Sequence, residues 1–102
     1  TWMPEPSWSY SSHWLTACTI TPRVGVDRHK LMQYLASELI EARPLWKPMH
    51  LQPVFQEYRY FAHGDESVSD QLFEQGLCLP SGSNMSTSDV ERIVNVIRRF
   101  LR

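Results

Sequence analysis

The sequence predicts a two-layer α/β domain with its helices on one face of a small sheet. Three observations point there. Two short apolar runs of strand character, Trp14–Thr21 and Leu77–Leu79, are each closed by a proline. Two longer segments carry apolar residues at helical spacing behind good capping residues. The order of elements is strand, helix, irregular segment, helix, strand, helix, which buries one face of each element against the other layer. The chain has 102 residues, the size of one domain. A chain of this length buries roughly two-thirds of its unfolded surface, enough for one modest core.

The elements follow in order. Residues 1–13 are rich in Ser, Pro and aromatics, show no period, and read as an irregular connector that packs against something. The chain opens Thr1-Trp2-Met3-Pro4-Glu5-Pro6, with no initiator methionine and with Trp2, Trp8 and Trp14 close together, as expected of a segment from inside a longer protein. Trp14–Thr21 is the first strand. Asp27 caps a helix expected to run to about Ala42, with Leu31, Met32, Leu35, Ala36, Leu39 and Ile40 on one stripe and Pro44 as its stop. Residues 43–66 hold Pro44, Pro48 and Pro53, which remove donors and fix the backbone, so neither a helix nor a central strand is expected. The end of this segment, 57–66, reads as a mobile polar stretch. Ser67 or Ser69 opens a short helix to Gln75, with Gly76 placed as a left-handed terminator. Leu77-Cys78-Leu79 is a buried strand, and Ser81-Gly82-Ser83-Asn84 a turn. The last helix starts near Ser86 to Ser88 with a capping box, either Ser86 with Asp89 or Ser88 with Glu91. Its stripe is Val90, Ile93, Val94, Ile97, Phe100 and Leu101.

Composition excludes several functions. A formal net charge of -1 argues against an electrostatic nucleic-acid binder. The cluster Arg92, Arg98, Arg99 and Arg102 suits a solvated helix face near a C-terminus. No apolar run approaches the ~20 residues that cross a bilayer, and no signal peptide is seen, so a cytoplasmic location without membrane contact is expected. Cys18 and Cys78 lie in apolar runs and read as buried reduced thiols. His13, His29, His50 and His63 form no zinc-type spacing. Ser81-Gly82-Ser83 lacks the pattern of a nucleophile elbow, and the four scattered glycines make no phosphate loop.

One segment carries candidate chemistry: Arg43-Pro44-Leu45-Trp46-Lys47-Pro48-Met49-His50-Leu51-Gln52-Pro53-Val54-Phe55. Arginine offers forked donors to phosphate oxygens, tryptophan covers a base or a sugar face, and histidine donates to a hydroxyl or a diphosphate. A nucleotide diphosphate sugar needs that mixture. Taken alone, the segment reads first as a loop that packs its aromatics into the core, and composition does not settle between the two.

The same segment resembles the C-terminal part of the DegT/DnrJ/StrS aminotransferases, which act on nucleotide-linked keto-sugars. The match runs through Ser11-Ser12-His13-Trp14-Leu15, through Arg43 to Phe55, through Ser69 to Ser83, and through the capped helix Ser86 to Ile97. It covers nearly the whole chain. Ser12 departs from the asparagine found in many members and so offers a hydroxyl in place of a side-chain amide. The wording of the loop is closest to members that aminate UDP-linked 4-keto-6-deoxy sugars. The resemblance implies the two-layer small domain of a fold-type-I enzyme, with a small, mainly antiparallel sheet and helices on one face. It implies pyridoxal phosphate as cofactor, held by a large domain that this sequence lacks. Lys30 and Lys47 are the only lysines, and neither has the surroundings of a Schiff-base residue. It implies no catalytic residue here, glutamate as amino donor, a homodimer, and an isolated fragment without activity. On this reading Arg43 and Lys47 meet the diphosphate, Trp46 the base or sugar, and His50 the sugar or diphosphate. The competing expectation is a free-standing small α/β module that binds a ligand or regulates without catalysis.

Overall fold

The computed structural model describes residues 1–102. Three antiparallel strands form its sheet in the order β1-β3-β2: β1 is Thr16–Thr19, β2 is Arg43–Pro44 and β3 is Gly76–Leu79. Three helices accompany them: α1 is Arg28–Ser37, α2 is Val68–Gln75 and α3 is Thr87–Leu101. The sheet is antiparallel, as the family resemblance implied.

The central strand β3 is buried along its whole length. Side chains alternate across it, so Leu77 and Leu79 share one face while Cys78 takes the other. Leu77 and Leu79 join Cys18 of β1, Leu31, Leu35 and Ile40 in and after α1, and Ile93 and Val96 of α3 in a single core. Helices α1 and α3 therefore cover one face of the sheet. Asp27 caps α1 by accepting from the Lys30 amide at 2.8 Å. Ser86 and Asp89 form a reciprocal capping box on α3, as one of the two expected boxes required. These backbone hydrogen bonds hold the Asp27 carboxyl below its usual range. For Asp89 the Ser86 hydroxyl is the larger cause, followed by the Ser86 amide.

Four expectations need correction. First, α1 stops at Ser37 and not near Ala42. The Leu39 amide bonds to Ala36 and the Ile40 amide to Leu35, with Leu39 at φ 59, so the helix closes in a Schellman turn. Ile40 folds back beside Leu35 in the core, while Leu39 is swung outward and is 90% exposed. Second, Gly76 is not a left-handed terminator. Its φ of -93 and ψ of 142 are extended, and it begins β3 directly. Its smallness matters instead, because a Cβ there would collide with the Leu45 side chain and the Leu72 carbonyl. Third, β1 is shorter than Trp14–Thr21, and Trp14 lies outside it, exposed. The Thr16 amide donates to the Ser81 hydroxyl at 2.8 Å, which fixes the start of β1 against the turn after β3. Fourth, Val96 is buried although it was not placed on the stripe of α3, whereas Val90 stays exposed.

The remaining segments match less regular expectations. Residues 43–44 pair only at the sheet edge, where a proline is tolerated. Two 3-10 turns, Met49–Leu51 and Pro53–Phe55, follow, the second with Pro53 at a position that needs no amide donor. Within the connector 1–13, Trp2 bridges to Cys18, and the Met3 and Thr19 amides bond to Ala17 and Thr1, so its first residues line the free edge of β1. No helix is long and apolar enough to cross a membrane.

One buried cation went unread in the sequence. Arg28, in the first turn of α1, is 4% exposed. Its guanidinium donates to the Phe73 carbonyl near the end of α2 and lies over the Phe73 ring, 5.0 Å from its centre. It clamps α2 to α1 without a carboxylate partner.

Candidate functional site

The candidate loop leaves the sheet at β2 and returns to it through α2 and β3, so both of its ends are anchored on the sheet. Along it the four residues singled out from the sequence occupy different settings. Arg43 sits on the sheet edge with its side chain in solvent. Its Nε and one terminal nitrogen donate to the same Glu41 carboxylate oxygen, at 2.8 and 2.7 Å. The pair is exposed and so contributes little stability, but it orients the guanidinium. Trp46 is 68% exposed and inclines against Trp14, with ring centres 6.2 Å apart. Lys47 is exposed, and its carbonyl accepts from the Gln52 side chain at 3.1 Å, which closes the first 3-10 turn.

His50 differs from the other three, since its side chain is only 16% exposed. Its Nε2 lies 2.7 Å from a carboxylate oxygen of Asp70, off the axis of a well-formed hydrogen bond. Its ring stacks on Tyr60, with centres 3.6 Å apart and planes 15° from parallel. The Tyr60 hydroxyl lies 2.9 Å from the hydroxyl of Ser67, and Ser67 caps α2 by accepting from the Asp70 amide. The contacts form a closed ring: His50, Asp70, Ser67, Tyr60, and back to His50.

These residues do not line one cavity. Trp46 borders an apolar hollow of about 340 Å³ with Trp2, Met3, Ala17, Leu45 and Leu72. Arg43 borders a smaller one, of about 230 Å³, beside Leu15, Glu41 and Cys78. Lys47 and His50 border neither. A larger cavity, about 460 Å³, lies elsewhere, between α3, Met85 and Trp2. The cysteines stand apart from this chemistry. Both are free, and burial pushes both thiols up, which leaves little thiolate at neutral pH.

Sequence reasoning missed Asp70, Tyr60 and Ser67 as partners of His50. Ser67 was read as a helix start, and an Asp three residues after such a cap looks like a capping residue. Nothing in a linear reading places His50 over it.

Neither lysine has the enclosed setting that a Schiff base with pyridoxal phosphate needs. Lys30 is half exposed and pairs with Asp27 at 3.5 Å, and Lys47 projects from the loop. No group of three or more metal-ligating side chains is assembled.

Comparison with known proteins converges on one family. The model of the DegT/DnrJ/EryC1/StrS aminotransferase family matches residues 1–98. EpsN of Bacillus subtilis (strain 168), named as a pyridoxal phosphate-dependent aminotransferase, is 46% identical over 96 residues, 93% of this chain and 24% of EpsN. GDP-perosamine synthase of Escherichia coli O157:H7 is 31% identical over 91 residues, 89% of this chain and 23% of that enzyme. Among solved structures, the aminotransferase TlmJ from Streptoalloteichus hindustanus superposes with a TM-score of 0.77 at 22% identity, over 97% of this chain and 25% of TlmJ. The chain thus spans about a quarter of the length of the relatives it matches.

Proposed function

Because the chain belongs to the DegT/DnrJ/EryC1/StrS aminotransferase family, we propose that it is the C-terminal small domain of a sugar-nucleotide aminotransferase. The parent enzyme transfers an amino group from glutamate to a nucleotide-linked 4-keto-6-deoxy sugar, for surface polysaccharide or glycan synthesis. Pyridoxal phosphate is held by residues outside this chain, consistent with a segment whose two lysines are both poorly placed for it. The fragment alone is inactive. The parent works as a homodimer in the cytoplasm, where the two free thiols stay reduced.

Within that enzyme the domain closes one side of the substrate pocket. The observation that carries this role is the make-up of the loop at 43–50. It holds two exposed cations, an exposed indole and a fixed imidazole on a backbone braced at both ends. Arg43 and Lys47 bind the diphosphate, Trp46 the base or sugar, and His50 the sugar or diphosphate. Exposed cations can gather an anionic ligand without first breaking a buried ion pair, and only the Glu41 contact of Arg43 must be shared or displaced. Holding the sugar ketone in register can remove several kcal/mol from a barrier, on the order of the effects known for fixed orientation.

The test uses the full-length enzyme with a nucleotide 4-keto sugar and glutamate. Arg43→Ala and Lys47→Ala are expected to raise KM for the sugar nucleotide about tenfold each, the loss typical of one charge-assisted contact, and to leave KM for glutamate unchanged. Unchanged KM and kcat in both variants would make the loop a packing element only.

A further inference from the structure

The closed ring around His50 fixes more than its position. A stacked neighbour restricts the plane of an imidazole but leaves the ring free to flip within that plane. Tyr60 supplies this restriction, and its own hydroxyl is tied to the cap of α2 through Ser67. Asp70 then distinguishes the two flips, because its carboxylate lies 2.7 Å from Nε2. A carboxylate is an acceptor only; although it lies off the Nε2 axis and forms no well-aligned hydrogen bond, its negative oxygen at that distance disfavours a lone pair on Nε2. In the neutral ring the proton therefore sits on Nε2, and Nδ1 keeps its lone pair. Nδ1 has no protein partner, and unlike Nε2 it is not sealed from solvent.

From this geometry we infer that Asp70 is a positioning residue that presents His50 Nδ1 as a hydrogen-bond acceptor for a hydroxyl of the substrate sugar. The inference rests on the proposed role of the loop and sharpens it. A phosphate oxygen is itself an acceptor and gains nothing from a lone pair, so the arrangement selects the sugar and not the diphosphate. Tyr60 and Ser67 serve the same end by holding the ring plane and the start of α2 in register.

The experiment compares His50→Ala, Asp70→Ala, Asp70→Asn and the double variant His50→Ala/Asp70→Ala in the full-length enzyme. The readouts are KM for the sugar nucleotide, KM for glutamate, and the inhibition constants of GDP and UDP. His50→Ala is expected to raise KM for the sugar nucleotide about tenfold, the effect of one lost hydrogen bond in a closed site. Asp70→Ala should reproduce most of that rise, and the double variant should add nothing to it. Asp70→Asn keeps the shape and the fold but can face the ring with either oxygen or nitrogen, so it should recover only part of the affinity. KM for glutamate and the diphosphate inhibition constants should stay unchanged in all four variants, which a general unfolding would not allow. If His50→Ala raises KM while neither Asp70 variant does, the positioning role is overturned and the loop's role stands. If the diphosphate inhibition constants rise in parallel with KM, the hydroxyl assignment is overturned. If no variant changes any readout, the proposed substrate role of His50 falls, and the inference with it.

Discussion

The two sides of this molecule meet water in opposite ways. Under α1 and α3, aliphatic side chains from these two helices and the sheet close on one another, and Leu31, Leu35, Leu77 and Val96 are almost wholly hidden. Away from that core, residues 1–14 and 43–61 carry Trp8, Tyr10, Trp14, Trp46, Tyr58 and Phe61 on the surface. Only 11 of 102 residues are buried, and the radius of gyration is 15.8 Å, against about 13 Å for a compact chain of this length. The first side supplies its own stability. The second is an apolar surface suited to contact with another surface, which fits the proposed role as one domain of a larger enzyme.

That contrast can be broken most sharply from the core. Leu35→Ala should cost about 2–5 kcal/mol of folding stability, as other deletions at fully enclosed leucines do, read from denaturant unfolding. Trp8→Ser, at a residue 84% exposed, should change it by less than about 0.5 kcal/mol in the same assay. Equal losses would erase the distinction between the two sides. Gly76→Ala tests the seam between them. The side chain it adds meets both Leu45 from the loop and the Leu72 carbonyl of α2, so a loss of about 1–3 kcal/mol is expected. Leu39→Gly works the other way. A left-handed leucine costs about 1–2 kcal/mol relative to the right-handed form, part of which the greater freedom of glycine in the unfolded chain offsets. The melting temperature should therefore rise by a few degrees, roughly what a sub-kcal/mol gain produces in a domain this size.

The smallest effect concerns acid. Asp27 and Asp89 both have carboxyls lowered by hydrogen bonds in the folded state. A depressed carboxyl stabilises the fold above the unfolded pKa, and that stabilisation fades as pH falls through the lower folded value. Both carboxyls are exposed, so the effect is slight. Melting curves taken downward from pH 5 should show a shallower acid decline in Asp89→Asn than in the parent. An identical decline would show that the capping box on α3 adds nothing in acid.

What could be read from the sequence followed from local rules. Asp27, Ser67, Ser86 and Asp89 announce their helices because a cap is satisfied within three residues. The apolar run of β3 and the restriction of Pro44 to an edge are equally local. The end of α1 was not legible, since Leu39 continues the helical period and only the fold of Ile40 onto Leu35 reveals the turn. Gly76 was misread for a related reason: a glycine after a helix suggests a positive φ, whereas here it makes room for a side chain 31 residues earlier. At the candidate site the sequence singled out the loop and four of its residues, but the pairing of His50 with Asp70 crosses 20 positions and leaves no periodic trace. Arg28 escaped because its partners are a carbonyl and an aromatic face, which no charge pattern predicts.

The junction of α2 and β3 carries a mechanical consequence. Gln75 ends the helix and Gly76 begins the strand, with no residue between them. An eight-residue helix is a strut of roughly 12 Å. Its far tip holds Asp70 and Ser67, and its root is the middle strand of the sheet, wedged in place by Leu45. A tug on the imidazole at the tip therefore travels straight to the centre of the sheet, as along a lever whose fulcrum has been pinned.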